Sequence, residues 1–242
     1  MELFSQCFYE FLGTLVLVLL GDGVCAATSL NKSKAQGAGW IVVTMGWGLA
    51  VMCGALIAGP YSGAHLNPAL TLGLAVVQNF SWLTVAGYIV AQMLGGFCGA
   101  LLVYAFYKDH YDATEDASTK LGTFCTAPAI RNKWRNFLCE FIGTWLLVFV
   151  ILSFSNETYV AAGNAGTLGV FPVTFLIVSI GMSLGGATGY AINPARDLAP
   201  RLAHALLPIK GKRDSDWGYS WVPVFGPIAG ALFAAVTYML CP

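Results

Sequence analysis

Two nine-residue stretches hold most of the polar chemistry inside this chain's apolar sequence: "SGAHLNPAL" at 62–70 and "TGYAINPAR" at 188–196. Each contains Asn-Pro-Ala, at Asn67, Pro68 and Ala69 and again at Asn193, Pro194 and Ala195. Asn is a preferred helix N-cap, and Pro just after it supplies a fixed φ and lacks an N–H that would be orphaned there anyway. Each box therefore predicts a helix start. Near them stand His65, Arg196 and Asp197, and two glutamates, Glu10 and Glu140, lie within apolar segments. Arg196 offers a planar fork of donors that is always charged. No nucleophile–base pair, metal-ligand cluster or phosphate loop accompanies these residues, so neither an enzyme, a cofactor nor a metal site is expected. A lone histidine such as His65 reads as a hydrogen-bonding brace rather than a metal ligand.

The elements that must position these groups belong in a bilayer. The 242 residues are 57% hydrophobic and only 10% charged, with a mean hydropathy of +0.69, whereas a soluble domain is about a quarter charged. A net charge of zero offers no footprint for nucleic acid. The seven cysteines (Cys7, Cys25, Cys53, Cys98, Cys125, Cys139 and Cys241) are scattered and read as small packing residues. The opening "MELFSQCFYEFLG" lacks a basic n-region and runs into apolar sequence, so no cleaved leader is expected. A bilayer-crossing helix needs about 20 apolar residues. Six segments reach that length, roughly 4–28, 40–59, 83–107, 135–155, 168–187 and 221–240. Two further apolar stretches, roughly 68–77 and 194–207, are too short to cross, and each follows an Asn-Pro-Ala.

The chain also repeats itself. "EFLGT" at Glu10 returns as "EFIGT" at Glu140, the Asn67 box returns at Asn193, and "GALL" at Gly99 returns as "GALF" at Gly230, all at an offset of about 130 residues. The expected organisation is one membrane domain over 1–242, built from repeats of approximately 1–120 and 130–242. Three spans per copy is an odd number, so the second copy is inverted, an arrangement that puts a functional site at the repeat interface near the midplane. A half-helix of about ten residues is about 15 Å long, half of a roughly 30 Å hydrocarbon core. Two of them entering from opposite faces meet N-terminus to N-terminus at the centre. The residues before each box, Gly63, Ala64, His65 and Leu66 and then Thr188, Gly189, Tyr190 and Ala191, would present carbonyls to a wet cavity. Irregular backbone at that depth is tolerated only there or buried in protein. The predicted fold class is an all-α membrane protein of six transmembrane helices plus two re-entrant half-helices.

With "SGAHLNPA", "NPARD" and the doubled "EF-x-GT", and with "YIVAQMLGGFCGALLVY" and "VPVFGPIAGAL" in the third and sixth spans, the chain resembles the aquaporin superfamily. Asp197 after Arg196, Arg201 four residues on, and Pro223-Val224 make it similar to the glycerol facilitator, or aquaglyceroporin, branch. The resemblance covers essentially the whole chain. It implies a passive channel for glycerol and other small neutral solutes, with some water permeability, that excludes ions and protons. It further implies a homotetramer with one pore per subunit, multi-pass in the cell membrane, with both termini cytoplasmic.

The same resemblance maps the outer selectivity filter onto Trp47, Gly181, Tyr190 and Arg196. Water-selective members usually carry histidine where Gly181 stands, so the glycine is expected to leave room. Two aromatic rings would face a solute's CH groups while Arg196 meets its hydroxyls. Tyr190 departs from the phenylalanine expected of a glycerol facilitator, and its hydroxyl could narrow the opening. Packing against lipid or core is the competing role for both rings. The half-helix N-termini, the amides of Asn67 and Asn193 and the charge of Arg196 would together repel cations and protons. Glu10 and Glu140 admit a proton-coupling role or a structural one, accepting backbone N–H bonds from the loop before a box. Their symmetric placement favours the structural role, and Asp197 joins them as a brace.

All twelve Lys and Arg residues fall in 32–34, 108–135 and 196–213. The positive-inside rule puts that side in the cytoplasm and the N-terminus outside. The resemblance implies the reverse orientation, and it is the one adopted. A channel mainly for water or for a protonated small acid such as lactic acid stands as the near alternative. An ion-coupled secondary transporter is a more distant one, since no carboxylate cluster beyond the two braces is expected, and a vestigial pore is opposed by Gly181 and Arg196. The stretch 108–133, with "KDHYDATEDASTK", reads as a solvated connector or a vestibule lid.

Overall fold

The computed structural model describes residues 2–78, 80–154 and 168–240; Cys241 and residue 155 of the fourth expected span lie outside them. In chain order the helices are α1 Leu3–Ser29, α2 Trp40–Ser62, α3 Pro68–Gln78, α4 Trp82–Phe106, α5 Lys108–Ala113, α6 Ala117–Gly122, α7 Lys133–Phe154, α8 Phe171–Leu184, α9 Pro194–Leu206 and α10 Val222–Leu240. Five of them, α1, α2, α4, α7 and α10, are long and apolar enough to cross a membrane. The half-helices α3 and α9 have 11 and 13 residues and begin on the proline of each box.

The remaining span differs from expectation. The sequence predicts it over roughly 168–187, but α8 has 14 residues and is about 21 Å long. Gly185, whose N–H reaches back to the Gly181 carbonyl at 3.2 Å, closes it, and the chain turns through 185–188 into the second box. With α8 the fold is the six-span, two-half-helix architecture read from the sequence.

Helix α1 packs on α2 and α4, α7 on α10, and α2 on α8. The half-helices cross over: α3 lies against α10, and α9 against α4. Helices in lipid gain little from burying apolar surface against one another, so close backbone approach carries their association. At Gly95 an added Cβ would sit 2.3 Å from the Phe11 carbonyl oxygen, and at Gly230 it would sit 2.3 Å from that of Phe141. Only hydrogen fits at either crossing. Bulky apolar residues such as Phe4, Leu83, Phe106, Phe175 and Leu240 point outward, as a hydrocarbon surrounding requires.

The 108–133 stretch is not the solvated connector expected of it. It forms α5 and α6 and buries Tyr111, Leu121, Phe124 and Cys125. The Asn31 backbone N–H donates to Thr114 Oγ1 at 2.9 Å and its side chain to the Ala113 carbonyl at 3.1 Å, tying the stretch to the end of α1. Aromatic residues spaced through polar sequence supply this small core.

Candidate functional site: a braced cavity at the meeting of two half-helices

Each box caps its own half-helix and holds the other. Asn67 Oδ1 accepts from the Ala69 N–H at 2.9 Å, and Asn193 Oδ1 accepts from Ala195 at 2.9 Å and Arg196 at 3.3 Å. Asn67 Nδ2 then donates to the Ile192 carbonyl and Asn193 Nδ2 to the Leu66 carbonyl, both at 2.8 Å. A carboxamide has two N–H donors, so each asparagine keeps one beyond this cross-link.

The loops before the boxes share one backbone conformation. Positive φ falls at Gly63 (85°), Ala64 (54°) and Leu66 (52°), and at Gly189 (84°), Tyr190 (39°) and Ile192 (45°). Non-glycine residues in that region cost of order 1–3 kcal/mol each and persist only where the surroundings over-determine them. The glutamates provide that constraint. Glu10 accepts from the N–H groups of His65 at 2.9 Å and Leu66 at 2.7 Å, from Ser62 Oγ at 2.6 Å and from Gln92 Nε2 at 2.8 Å. Glu140 accepts from the N–H groups of Ala191 at 3.1 Å and Ile192 at 2.8 Å and from Thr188 Oγ1 at 2.6 Å. Both carboxylates are buried, and every bond they accept comes from the loop before a box or a side chain packed on it. His65 is braced as well, its Nδ1 lying 3.2 Å from Thr71 Oγ1.

A cavity of about 600 Å³ runs along these loops. Its lining includes Gly63, Ala64, His65, Leu66, Tyr190 and Ala191, but not Thr188 or Gly189. Those two are spent on anchoring: Thr188 on Glu140, and Gly189, whose N–H meets the Gly185 carbonyl at 2.8 Å. The Leu66 carbonyl is taken up by Asn193. Apolar walls come from residues such as Leu17, Leu70, Leu147 and Ile177.

Trp47, Tyr190 and Arg196 all line this cavity. The Arg196 guanidinium carbon stands 3.9 Å from the Trp47 ring centroid, a cation–π distance. Among the described residues the guanidinium makes no hydrogen bond, so its donors remain available. Gly181 belongs to the same cluster but does not line the cavity. A Cβ there would fall 2.8 Å from Tyr190 Cζ, so the tyrosine ring fills the room the glycine leaves. This corrects the expectation that Gly181 opens the passage directly; it makes room for a ring.

Three participants escaped the sequence analysis. Trp40 donates Nε1–H to the Gly181 carbonyl at 2.9 Å and meets the Tyr190 ring edge-on at 5.8 Å between centroids. Gln92 links Glu10 to Thr71. Asp22, a third buried carboxylate within a span, has Oδ1 3.6 Å from Arg196 Nη1. An acid in mid-span is costly enough to have drawn notice, but Asp22 has no counterpart in the repeat. Asp197 is tied to a different segment: Oδ2 accepts from the Thr126 N–H and Oγ1, both at 2.7 Å, and Oδ1 pairs with Arg201 at 2.8 Å. It thereby secures the stretch after α6 to α9.

The family model of the major intrinsic proteins matches residues 1–238. The "Probable glycerol uptake facilitator protein" of Thermotoga maritima is 54% identical over 95% of this chain and 96% of its own length. "Glycerol uptake facilitator protein 3" of Lactiplantibacillus plantarum is 51% identical over 98% of this chain and 97% of its own. Among solved structures, the aquaglyceroporin from Plasmodium falciparum superposes with a TM-score of 0.86 at 32% identity, covering 100% of this chain and 98% of that one. With a match along nearly its full length and relatives about as long and half identical, the chain belongs to the major intrinsic protein family.

Proposed function

We infer that this protein is a passive transmembrane channel for glycerol and other small neutral solutes, with some permeability to water and a barrier to ions and protons. The observation that carries this reading is the amphipathic lining of the cavity, where unspent Arg196 donors stand over the Trp47 ring and the Tyr190 ring lines the same space. A polyol has one hydroxylated edge and one CH edge. Its hydroxyls can accept from the arginine while its carbon backbone slides on the rings, so each half of its surface exchanges water for a matching wall. The glycerol facilitators among its relatives support the same solute class.

Deeper in, the remaining amide N–H groups of Asn67 and Asn193 and the two half-helix N-termini favour an oxygen lone pair at the midplane. Each helix terminus carries roughly half a positive charge. A water accepting from both asparagines turns its own hydrogens away from them and cannot relay a proton along the file, and cations meet the same positive field. Trp47, Gly181, Tyr190 and Arg196 form the selectivity filter on this reading, and the two halves, 1–120 and 130–242, are inverted copies. A homotetramer in the cell membrane with both termini cytoplasmic completes it. Several of the basic residues that run against the positive-inside rule have local partners: Lys212 Nζ donates to the His204, Ala205 and Leu207 carbonyls at 2.7, 2.7 and 2.6 Å, and Arg201 is buried with Asp197.

Stopped-flow light scattering on proteoliposomes tests the function, comparing glycerol, water and lactic acid with and without proton or sodium gradients. Rapid glycerol entry that ignores both gradients is expected. Rapid water efflux with glycerol entry at the rate of empty liposomes would mean that Tyr190 closes the filter to polyols. Gradient-driven uptake would make the protein a coupled transporter.

A further inference from the structure

One turn of α1 forms a plate behind Trp47 and Arg196. Gly21 lies under Trp47, where an added Cβ would sit 2.2 Å from ring atom Cζ3, so the indole lies flat on the helix. One turn further on, Cys25 Sγ accepts from Trp47 Nε1 at 3.3 Å. Asp22, on the same face, points its carboxylate at Arg196, with Oδ1 3.6 Å from Nη1. Its side chain is 1% exposed, and neither oxygen accepts a hydrogen bond from any described residue. Asp22 is absent from the cavity lining that includes Trp47 and Arg196, so it stands behind the arginine as seen by a solute. The neighbouring acid Asp197 is committed to Thr126 and Arg201. Asp22 is thus the carboxylate paired with the arginine of the constriction.

A buried carboxylate with no hydrogen bonds is expensive in a membrane interior, and the attraction of a nearby cation offsets that cost. The converse matters for transport. A guanidinium on a flexible stem at the edge of a cavity can extend across it, and it will do so when nothing holds it from behind. We propose that Asp22 is a positioning residue of the constriction, drawing the Arg196 guanidinium back onto the Trp47 face so that the passage stays wide enough for a polyol. The pairing also reduces the net charge that a neutral solute meets. This inference rests on the reading that Arg196 stands at the filter.

The test measures glycerol and water permeability in proteoliposomes for the wild type, Asp22→Asn, Arg196→Ala and the double variant. Asp22→Asn keeps the shape and removes the charge, so Arg196 swings inward and the glycerol-to-water ratio falls by about tenfold. In the Arg196→Ala background the same change has no effect on the ratio. A ratio in Asp22→Asn equal to the wild type's overturns the proposal, as does an equal loss with and without Arg196, which would mark Asp22 as a packing residue. If Asp22→Asn yields no folded channel, the double variant decides: it is expected to fold and match Arg196→Ala, and any difference in ratio overturns the proposal. If Arg196→Ala itself leaves the wild-type ratio unaltered, the filter reading has failed instead.

Discussion

Gly181→Ala adds one methyl group where the structure has no room for it. Its Cβ would lie 2.8 Å from Tyr190 Cζ, 3.0 Å from the tyrosine oxygen and 2.8 Å from Thr44 Cγ2. Ordinary contact begins at 3.4 Å, so Thr44 and the Tyr190 ring are each too close by about 0.6 Å, and whichever is freer takes up the displacement. Thr44 is buried in α2 with its hydroxyl bonded to the Ile41 carbonyl at 2.9 Å, which leaves it little freedom. The Tyr190 ring is bounded by Trp40 and opens toward the cavity it lines. It therefore moves into the passage. Overpacking of this kind costs about 1–3 kcal/mol. If that cost falls on a polyol in transit, glycerol permeability drops by roughly fivefold to a hundredfold, at about 1.4 kcal/mol per factor of ten. Water, with a smaller cross-section, is largely spared. Stopped-flow light scattering reads both rates from one preparation, and Gly181→Ala with Tyr190→Leu should recover glycerol flux because the obstructing ring is gone. An unchanged glycerol rate, or equal losses of glycerol and water, would refute the idea that the glycine serves to seat the ring.

Other perturbations follow from the same geometry. Glu140→Gln leaves an amide facing the buried Ile192 N–H; the stranded donor costs about 1–3 kcal/mol, and thermal melting in detergent should show the loss. Gly230→Ala drives a methyl to within 2.3 Å of the Phe141 backbone oxygen and should lower the melting temperature, whereas Gly186→Ala, with no described residue within 4 Å of the added carbon, should leave it in place. Outside the spans, hydrogen bonds from the Thr119 hydroxyl and from the Thr119 and Ser118 amides hold the Asp116 carboxyl below its ordinary range. A depressed folded value means that this cap is fully formed above the unfolded pKa of about 3.9 and is lost as pH falls through the folded value. Amide exchange at Ser118 and Thr119, corrected for intrinsic rates, should therefore show constant protection from neutral pH down to about pH 5 and lose it in stronger acid; loss of protection near neutrality would contradict the assignment.

The architecture was legible because it rests on local and periodic properties. Apolar run length against bilayer thickness marks the spans, and Asn-Pro marks a helix start wherever it occurs. Glu10 and Glu140 could be read as braces because a carboxylate in a span demands partners, and the repeat offered each the same loop. Asp22 sends the same signal of cost, but nothing near it in sequence names its partner. That partner, Arg196, comes from α9, where the fold packs the second half against α4 of the first. Likewise, glycine at 181 says only that a side chain is missing there. Whether the vacancy becomes lumen or is filled depends on where Tyr190 and Trp40 are delivered by other elements, and the fold fills it with a ring. The early close of α8 and the burial of 108–133 belong to the same class. The sequence by itself determined the number and order of the spans, the two half-helices and the capping of each half-helix. Tertiary structure alone decided what fills the space beside Gly181 and what stands behind Arg196, because those follow from contacts between residues far apart in the chain, for which composition, period and motif carry no coordinate.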